Sequence, residues 1–472
     1  MKGLKLALGS YRYCNPSESR ISAKILGPMD TRLINAKARR RKDAPDSESG
    51  FLLCVFATWR LCVKESSLFV KSLVQLLRLR LAALALLGLL LAAAADGATN
   101  GAGPAHVPGA LTVPPLGEVL CPGKWPAVES SVDRALAWLA SQQAANGSFP
   151  TQPAGQPAVT SLCVLAFLAR GHQPGLGPYG KQMERGIDFV LACQRDNGLF
   201  SSQPPKDSHG QDAHEDLTPS HTAVYNHAIS GLMLGEVFGH VTGKRMEAVK
   251  KGLTQALQFT RQLQSQPKAN AADRGGWRYL HLRFDQSAAD SDLSVTAWQI
   301  LFLRSARNAE FNVPQAYVDQ ATEFVHRCWD EKKGVFNYAL EGGGDVRSSR
   351  GMVGAGILCL SLAGQHQTPA ALAAGDWLLA HPYRRFGEQI GVDDGFFYSA
   401  YYCSQAAAQL GGNYWKGIYE PLADTLLGAQ NADGSWPPEP QKKIALFGND
   451  YTTAMAVLSL TPPYQLLPVY QR

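Results

Sequence analysis

Acidic residues gather just ahead of the most apolar stretches of this chain, at Asp216, Asp290, Asp292, Asp393, Asp394 and Asp450. Paired carboxylates at one mouth suit general acid–base chemistry, including glycan cleavage by two facing acids. The closest pair is Asp290-Ser-Asp-Leu293. An acid that must donate a proton at neutral pH needs neighbours that raise or share that proton, and a second carboxylate does this. The same placement also serves helix starts, where one side-chain oxygen caps a free N–H and negative charge meets the positive end of the dipole. A second cluster, His209, His214, Glu215, Asp216, His221 and His227, fits no standard zinc spacing and reads as loop residues and caps, with His227 hydrogen-bonded inside the core. Tyr225, Trp298, Phe396, Phe397, Tyr398, Tyr401 and Tyr402 supply aromatic surface for a ligand, or simply for a core.

What positions these residues is a repeat. Gln430-Asn-Ala-Asp-Gly-Ser-Trp436 has relatives at Gln143 to Phe149, at Gln194 to Phe200, at Asn270 to Trp277 and at Trp329 to Phe336. In each, a helical pattern runs into a polar turn, then a Gly, then an aromatic. The Gly lets the chain leave the helix through a left-handed conformation, and the aromatic is placed to wedge between helices. Copies about 50 residues apart, with a longer gap before Trp277, indicate a helical repeat.

Two kinds of helix alternate along it. Amphipathic segments with a charged face are predicted at 128–143, 179–194, 246–264, 314–329, 369–380 and 414–430. Nearly uncharged segments rich in Ala, Gly and Ser are predicted at 158–169, 221–238, 294–306, 351–363, 396–410 and 451–460. A helix that is apolar all round must be buried on all sides. Six of each, in strict alternation, predict an all-α fold: an (α/α)6 toroid, with an inner ring of apolar helices and an outer ring of amphipathic ones. An open superhelix is the alternative.

The rest of the chain bounds function. Residues 1–80 carry 16 Lys and Arg against 6 Asp and Glu, so the formal charge of +6 becomes about −4 for the remainder. No basic stripe for nucleic acid is left. Residues 1–70 lack a sustained period and read as a poorly structured extension, with the native start expected near Val70. Residues 71–95 combine a basic start, the uncharged run Leu81 to Ala95 and an Ala-rich exit. They read as a secretory signal, with membrane anchorage through 71–95 as the alternative, so the protein is expected to be exported to the periplasm or cell envelope. Residues 96–120 are a flexible linker and 121–472 the toroid domain. Of the six later cysteines, Cys121, Cys163, Cys193, Cys328, Cys359 and Cys403, five lie in apolar helical patterns and read as buried free thiols. No metal or cofactor is expected.

These motifs resemble the terpenoid cyclase and protein prenyltransferase α/α toroids, whose Gln…Gly-x-Trp signature is matched at Gln430 to Trp436, and with Phe for Trp at Phe149 and Phe200. The resemblance covers roughly residues 120–465. It is strongest to exported prenyltransferase and squalene-oxidase repeat proteins of planctomycete type, through Asp292 to Gln299, Tyr225 to Ile229 and Tyr401 to Trp415. It implies a central funnel that binds a hydrophobic, isoprenoid-like or extended ligand. The Asp-x-Asp-Asp acid of class II cyclases is broken here, because Leu293 replaces the last Asp. If the protein is an enzyme, the resemblance implies Asp292 with Asp290 as proton donor, supported by Asp393 and Asp394, with Tyr225, His227, Trp298, Phe397, Tyr398 and Tyr401 around the ligand. The prenyltransferase zinc set is missing from 395–403, and Gly387-Glu-Gln389 lacks the cysteine of a thioester site. Other readings are a non-catalytic envelope binding or scaffold protein and a glycan-active (α/α)6 enzyme.

Overall fold

A computed structural model describes residues 124–205, 219–280, 290–340, 348–391 and 394–471. The chain divides into the units Met1–Pro108 and Gly109–Arg472, and the described residues belong to the second. The extension, signal, linker, Cys121, His209, His214, Glu215, Asp216 and Asp393 lie outside them.

The helices are α1 (Lys124–Gln142), α2 (Ala158–Ala169), α3 (Gly180–Ala192), α4 (Pro219–Val237), α5 (Gly243–Gln264), α6 (Leu293–Asn308), α7 (Gln315–Arg327), α8 (Arg350–Leu362), α9 (Pro369–Ala380), α10 (Phe396–Leu410), α11 (Gly412–Ala429), α12 (Lys442–Ala445) and α13 (Gly448–Leu460). Each long helix falls within a few residues of its predicted span. The one-turn α12 was not anticipated.

Every residue of α2 is buried, and nearly every residue of α8, whereas α3, α5 and α7 bury a single stripe. The buried helices pack in the cyclic order α2, α4, α6, α8, α10, α13 and back to α2. The amphipathic helices sit outside: α3 packs on α2, α5 between α4 and α6, α7 between α6 and α8, and α9 between α8 and α10, while α1 packs on α2 and α13 and α11 on α10. α11 also packs on α1, so the outer layer meets its own start. The fold is a closed (α/α)6 toroid. Glycines let the layers approach: an added Cβ at Gly231 would lie 2.6 Å from the Phe302 ring, and one at Gly354 2.9 Å from Cys403 N.

The repeated turns are the joints. Each Gln side chain donates both to its own turn and to the next outer helix. Gln143 Nε2 reaches Gly147 O at 2.9 Å and Gln182 O at 2.8 Å; Gln194 reaches Gly198 O and Gly252 O; Gln264 reaches Gly275 O and Tyr317 O; Gln430 reaches Gly434 O and Ser131 O. At Gly434 φ is +96°, and a Cβ would stand 2.6 Å from Arg134 O, so only glycine fits. Phe149, Phe200, Trp277, Phe336 and Trp436 are fully buried, each a wedge whose truncation to Ala costs about 3–5 kcal/mol. The fourth joint departs from the pattern: Trp329–Asp330 (β1) and Val335–Phe336 (β2) form a two-stranded antiparallel hairpin, with Trp329 opposite Phe336.

The described cysteines are free, and all but the half-buried Cys193 are buried. None of the described helices is long and apolar enough to cross a membrane.

Candidate functional site: a tyrosine collar over a filled axis

The joints also set the register of the inner ring. In four of the five joints the backbone N–H of the aromatic donates to a side chain on the following inner helix: Phe149 N to Thr160 Oγ1, Trp277 N to Thr296 Oγ1 and Trp436 N to Thr453 Oγ1, each at 3.0 Å. In the second joint Phe200 N meets His227 Nδ1 at 3.3 Å instead. His227 therefore takes the place of the repeat threonine in the wall between the layers. Since Nδ1 accepts, Nε2 carries the proton and donates to Thr260 Oγ1 at 2.9 Å, whose own hydrogen goes to Gln299 Oε1 at 3.1 Å. Burial pushes its pKa down to about 3, so the ring is neutral. It is committed to the wall and does not line the axis.

Two residues before those wall positions come Ala158, Tyr225, Ser294 and Tyr451, which face the opposite way along the helix. Tyr225 Oη donates to Ser294 Oγ at 2.9 Å, and Ser294 Oγ lies 2.8 Å from Tyr398 Oη, so α4, α6 and α10 converge through their first turns. The segments after the third and fourth joints add to this collar. Asp292 N donates to Trp277 O at 3.0 Å, Leu280 N to Ser220 O at 3.1 Å and Leu293 N to Tyr338 O at 2.7 Å. Arg278, Tyr279 and Tyr338 are thereby laid over the starts of α4 and α6. Tyr279 and Tyr338 share a hydroxyl hydrogen bond, and the Tyr279 ring lies 4.1 Å from the His221 ring and 6.1 Å from that of Tyr225. Tyr225, Tyr279, Tyr338, Tyr398, Tyr451 and His221 are all half-buried. Burial pushes the hydroxyls of Tyr225, Tyr338 and Tyr398 well up, so they act as neutral donors and acceptors.

One turn deeper, the axis is packed. Trp298 stacks on Tyr401 with centroids 5.1 Å apart and planes 7° apart, and meets Tyr402 edge-on at 5.5 Å. These three rings have at most 2% of their surface accessible. Tyr401 Oη bonds Tyr470 Oη beneath, where the chain's end crosses the ring. Gln409 Nε2 donates to Tyr470 O at 2.7 Å, Asn308 Nδ2 to Pro468 O at 2.9 Å and Val469 N to Glu236 Oε2 at 3.3 Å. Glu236 also accepts from Ser305 Oγ at 2.6 Å, and burial raises its pKa to about 7.

The carboxylates singled out in the sequence are mostly held by backbone. Asp292 is the N-cap of α6, its Oδ1 accepting from Val295 N at 2.7 Å while Oδ2 lies 3.5 Å from Arg278 Nη1. Asp290 turns to the neighbouring loop, with Oδ2 on Ala269 N and its own N donating to Asp273 Oδ2 at 2.8 Å. The two acids do not form one proton-sharing pair. Asp394 accepts from Gly351 N and Ile390 N at 3.1 Å and from Arg350 Nε at 3.2 Å. Burial raises its pKa and Arg350 opposes that rise. Phe397 is buried against Phe386 and Phe396, its N–H held at 3.1 Å by Glu439. Sequence reasoning passed over Glu439, whose carboxylate bonds the Phe396 and Phe397 N–H groups and whose pKa burial lifts to about 7. It also passed over Arg278, Tyr279 and Tyr338. A signal existed: both tyrosines stand two residues after a joint aromatic.

The fold and its collar define the chain as an α/α toroid with an aromatic mouth. No protein family model matches the sequence, and no curated protein does. Solved structures with a similar fold include the type II terpene cyclase MstE from Scytonema in complex with merosterolic acid A, at 14% identity over 74% of this chain and 100% of that one, with a TM-score of 0.46. An α-1,6-mannanase of Salegentibacter sp. HEL1_6 in complex with α-1,6-mannotriose is 12% identical over 72% of this chain and 99% of that one, with a TM-score of 0.48. A glycosidase in complex with glucose is 12% identical over 74% and 100%, with a TM-score of 0.46.

Proposed function

We propose that this exported toroid binds an extended, hydroxylated chain, a glycan segment, across the collar at the amino-terminal ends of its inner helices. The observation that carries the reading is the change of character along the axis. At the level of Tyr225, Ser294 and Tyr398 the rings are half-buried and bear hydroxyls, whereas one turn below Trp298, Tyr401 and Tyr402 are buried against one another. A sugar ring suits such a rim, because an aromatic face takes its C–H surface while phenol hydroxyls exchange hydrogen bonds with its hydroxyls. An isoprenoid would need deep apolar volume, which the stacked rings occupy. Alkene protonation by Asp292 is disfavoured too, since that carboxylate already serves Val295 N and Arg278.

The reading is tested with the mature protein and a panel of neutral and acidic oligosaccharides, followed by calorimetry. We expect saturable binding that Tyr225→Phe or Tyr398→Phe weakens several-fold with little change in melting temperature. Protein isolated from its native envelope would then be extracted and analysed by mass spectrometry. Stoichiometric retention of a prenyl lipid, with no saccharide response, would overturn the proposal in favour of the isoprenoid reading.

A further inference from the structure

The collar tyrosines differ in what their hydroxyls bond. Tyr225 and Tyr398 share Ser294 Oγ, at 2.9 and 2.8 Å, and Tyr279 bonds Tyr338. Tyr451, at the collar level of α13, is half-buried like them. Its hydroxyl makes no hydrogen bond among the described residues and is not one of their sealed polar atoms. Burial and the Glu439 carboxylate push its pKa up, so it stays a neutral donor and acceptor.

A second ring stands beside it. Phe447, one turn earlier and also half-buried, has its ring centroid 5.7 Å away, with the planes 52° apart. That ring is braced against Gly155, where an added Cβ would fall 2.8 Å from Phe447 Cδ1. The pair is a fixed aromatic corner with an open hydroxyl. Asp450 precedes Tyr451 in the chain and Glu439 acts on its phenol, and neither carboxyl has a cation partner among the described residues. An anionic ring would meet that charge with nothing to offset it.

We propose that Tyr451 is the collar's principal ligand contact, its hydroxyl bonding a sugar hydroxyl while its ring and that of Phe447 take the C–H face of a neutral pyranose. The inference rests on the saccharide reading above and narrows it to one contact and an uncharged sugar. A phenol with no internal bond gives nothing up on meeting a ligand, whereas Tyr225 Oη must leave Ser294 in order to donate. The aromatic corner supplies the apolar face and the phenol the single polar group that orients the sugar.

Calorimetry on the mature protein compares maltotriose and cellotriose with triglucuronate, an acid of the same length. We expect a neutral trimer to bind, and Tyr451→Phe to weaken it about three- to tenfold, the worth of one hydrogen bond. The melting temperature should not move, because the lost hydroxyl has no partner among the described residues. Tyr225→Phe should weaken binding less. Tyr451→Leu removes the ring as well and should lose more than Tyr451→Phe, with circular dichroism checking its fold. Wild-type affinity in Tyr451→Phe would overturn the contact and leave the collar reading standing. Tighter binding of triglucuronate than of either neutral trimer would overturn the uncharged-sugar assignment. No saccharide binding by the wild type would defeat this inference and the reading beneath it.

Discussion

Gln430 Nε2 donates at 2.9 Å to the backbone carbonyl of Ser131, 299 residues earlier in the chain. The same amide group holds Gly434 O at 2.9 Å, and its oxygen accepts from Ser131 Oγ at 2.8 Å. Three other joints use Gln143, Gln194 and Gln264 to clamp one outer helix to the next. Here the next outer helix is the first one, so the contact that links neighbours elsewhere becomes the one that closes the ring.

Gln430→Ala should therefore cost about 1–3 kcal/mol, because carbonyls in a crowded joint lose their donor. Urea unfolding measures it, with Gln143→Ala as the internal comparison. If the two differ little, closure is just another joint. A wild-type-like midpoint for Gln430→Ala would contradict the clamp.

Asp292 separates charge from cap. Both changes leave Arg278 without its counter-charge, but Asp292→Asn keeps an oxygen for Val295 N, whereas Asp292→Ala also loses the cap, worth about 0.5–2 kcal/mol. Ala should be the more damaging change by thermal melting. The reverse order would mean that the cap is not what Asp292 supplies.

His227 is a wall residue, so its titration is a stability matter. Its folded pKa of about 3 lies below the ordinary value of 6.5, so its contribution is present above pH 6.5 and is lost as pH falls from there toward 3. His227→Thr restores the hydroxyl used by the other joints and removes that acid sensitivity, at the cost of some packing volume. Melting curves of both proteins should converge on going from pH 7 to pH 4. Parallel curves would refute the neutral, buried ring.

Glu236 and Asp450 carry the opposite sign. Both are raised by burial to about 7, from ordinary values of 4.5 and 3.8, so the stability linked to their protonated forms is present at pH 4 and drains away as pH rises through 7. Asp450 Oδ1 has no partner among the described residues, and only a backbone N–H opposes the rise that burial causes. Glu236→Gln and Asp450→Asn should raise the melting temperature by several degrees at pH 8 and little at pH 4. Equal effects at both pH values would show that the carboxyls are already ionised.

The chain's end is a floor. Removing residues 468–472 deletes the Tyr470 contacts to Tyr401 and Gln409 and the Val469 N–H that Glu236 accepts. Hydrogen exchange should rise in the last turns of α4, α6 and α10, while ligand affinity at the collar stays within a factor of about two, since no direct contact is lost. Unchanged exchange would mean that the tail is ornamental.

Sequence alone determined the period, the two classes of helix, their spans to within a few residues and the glycine–aromatic joints. These are local properties: helical spacing, absence of charge and a left-handed exit are settled within a turn or two of chain. Six matched pairs even implied closure. What the sequence left open was where side chains from distant helices meet. Asp292 served equally as an acid or a cap on its spacing, and only the position of Arg278 and the first turn of α6 decided for the cap. His227 looked like a ligand residue until Phe200 N and Thr260 showed it standing in for a threonine. The collar joins Tyr225, Ser294 and Tyr398, with 69 and 104 residues between consecutive members. Such a meeting depends on packing angles and on which face of each helix turns inward, and the tertiary structure alone fixes both.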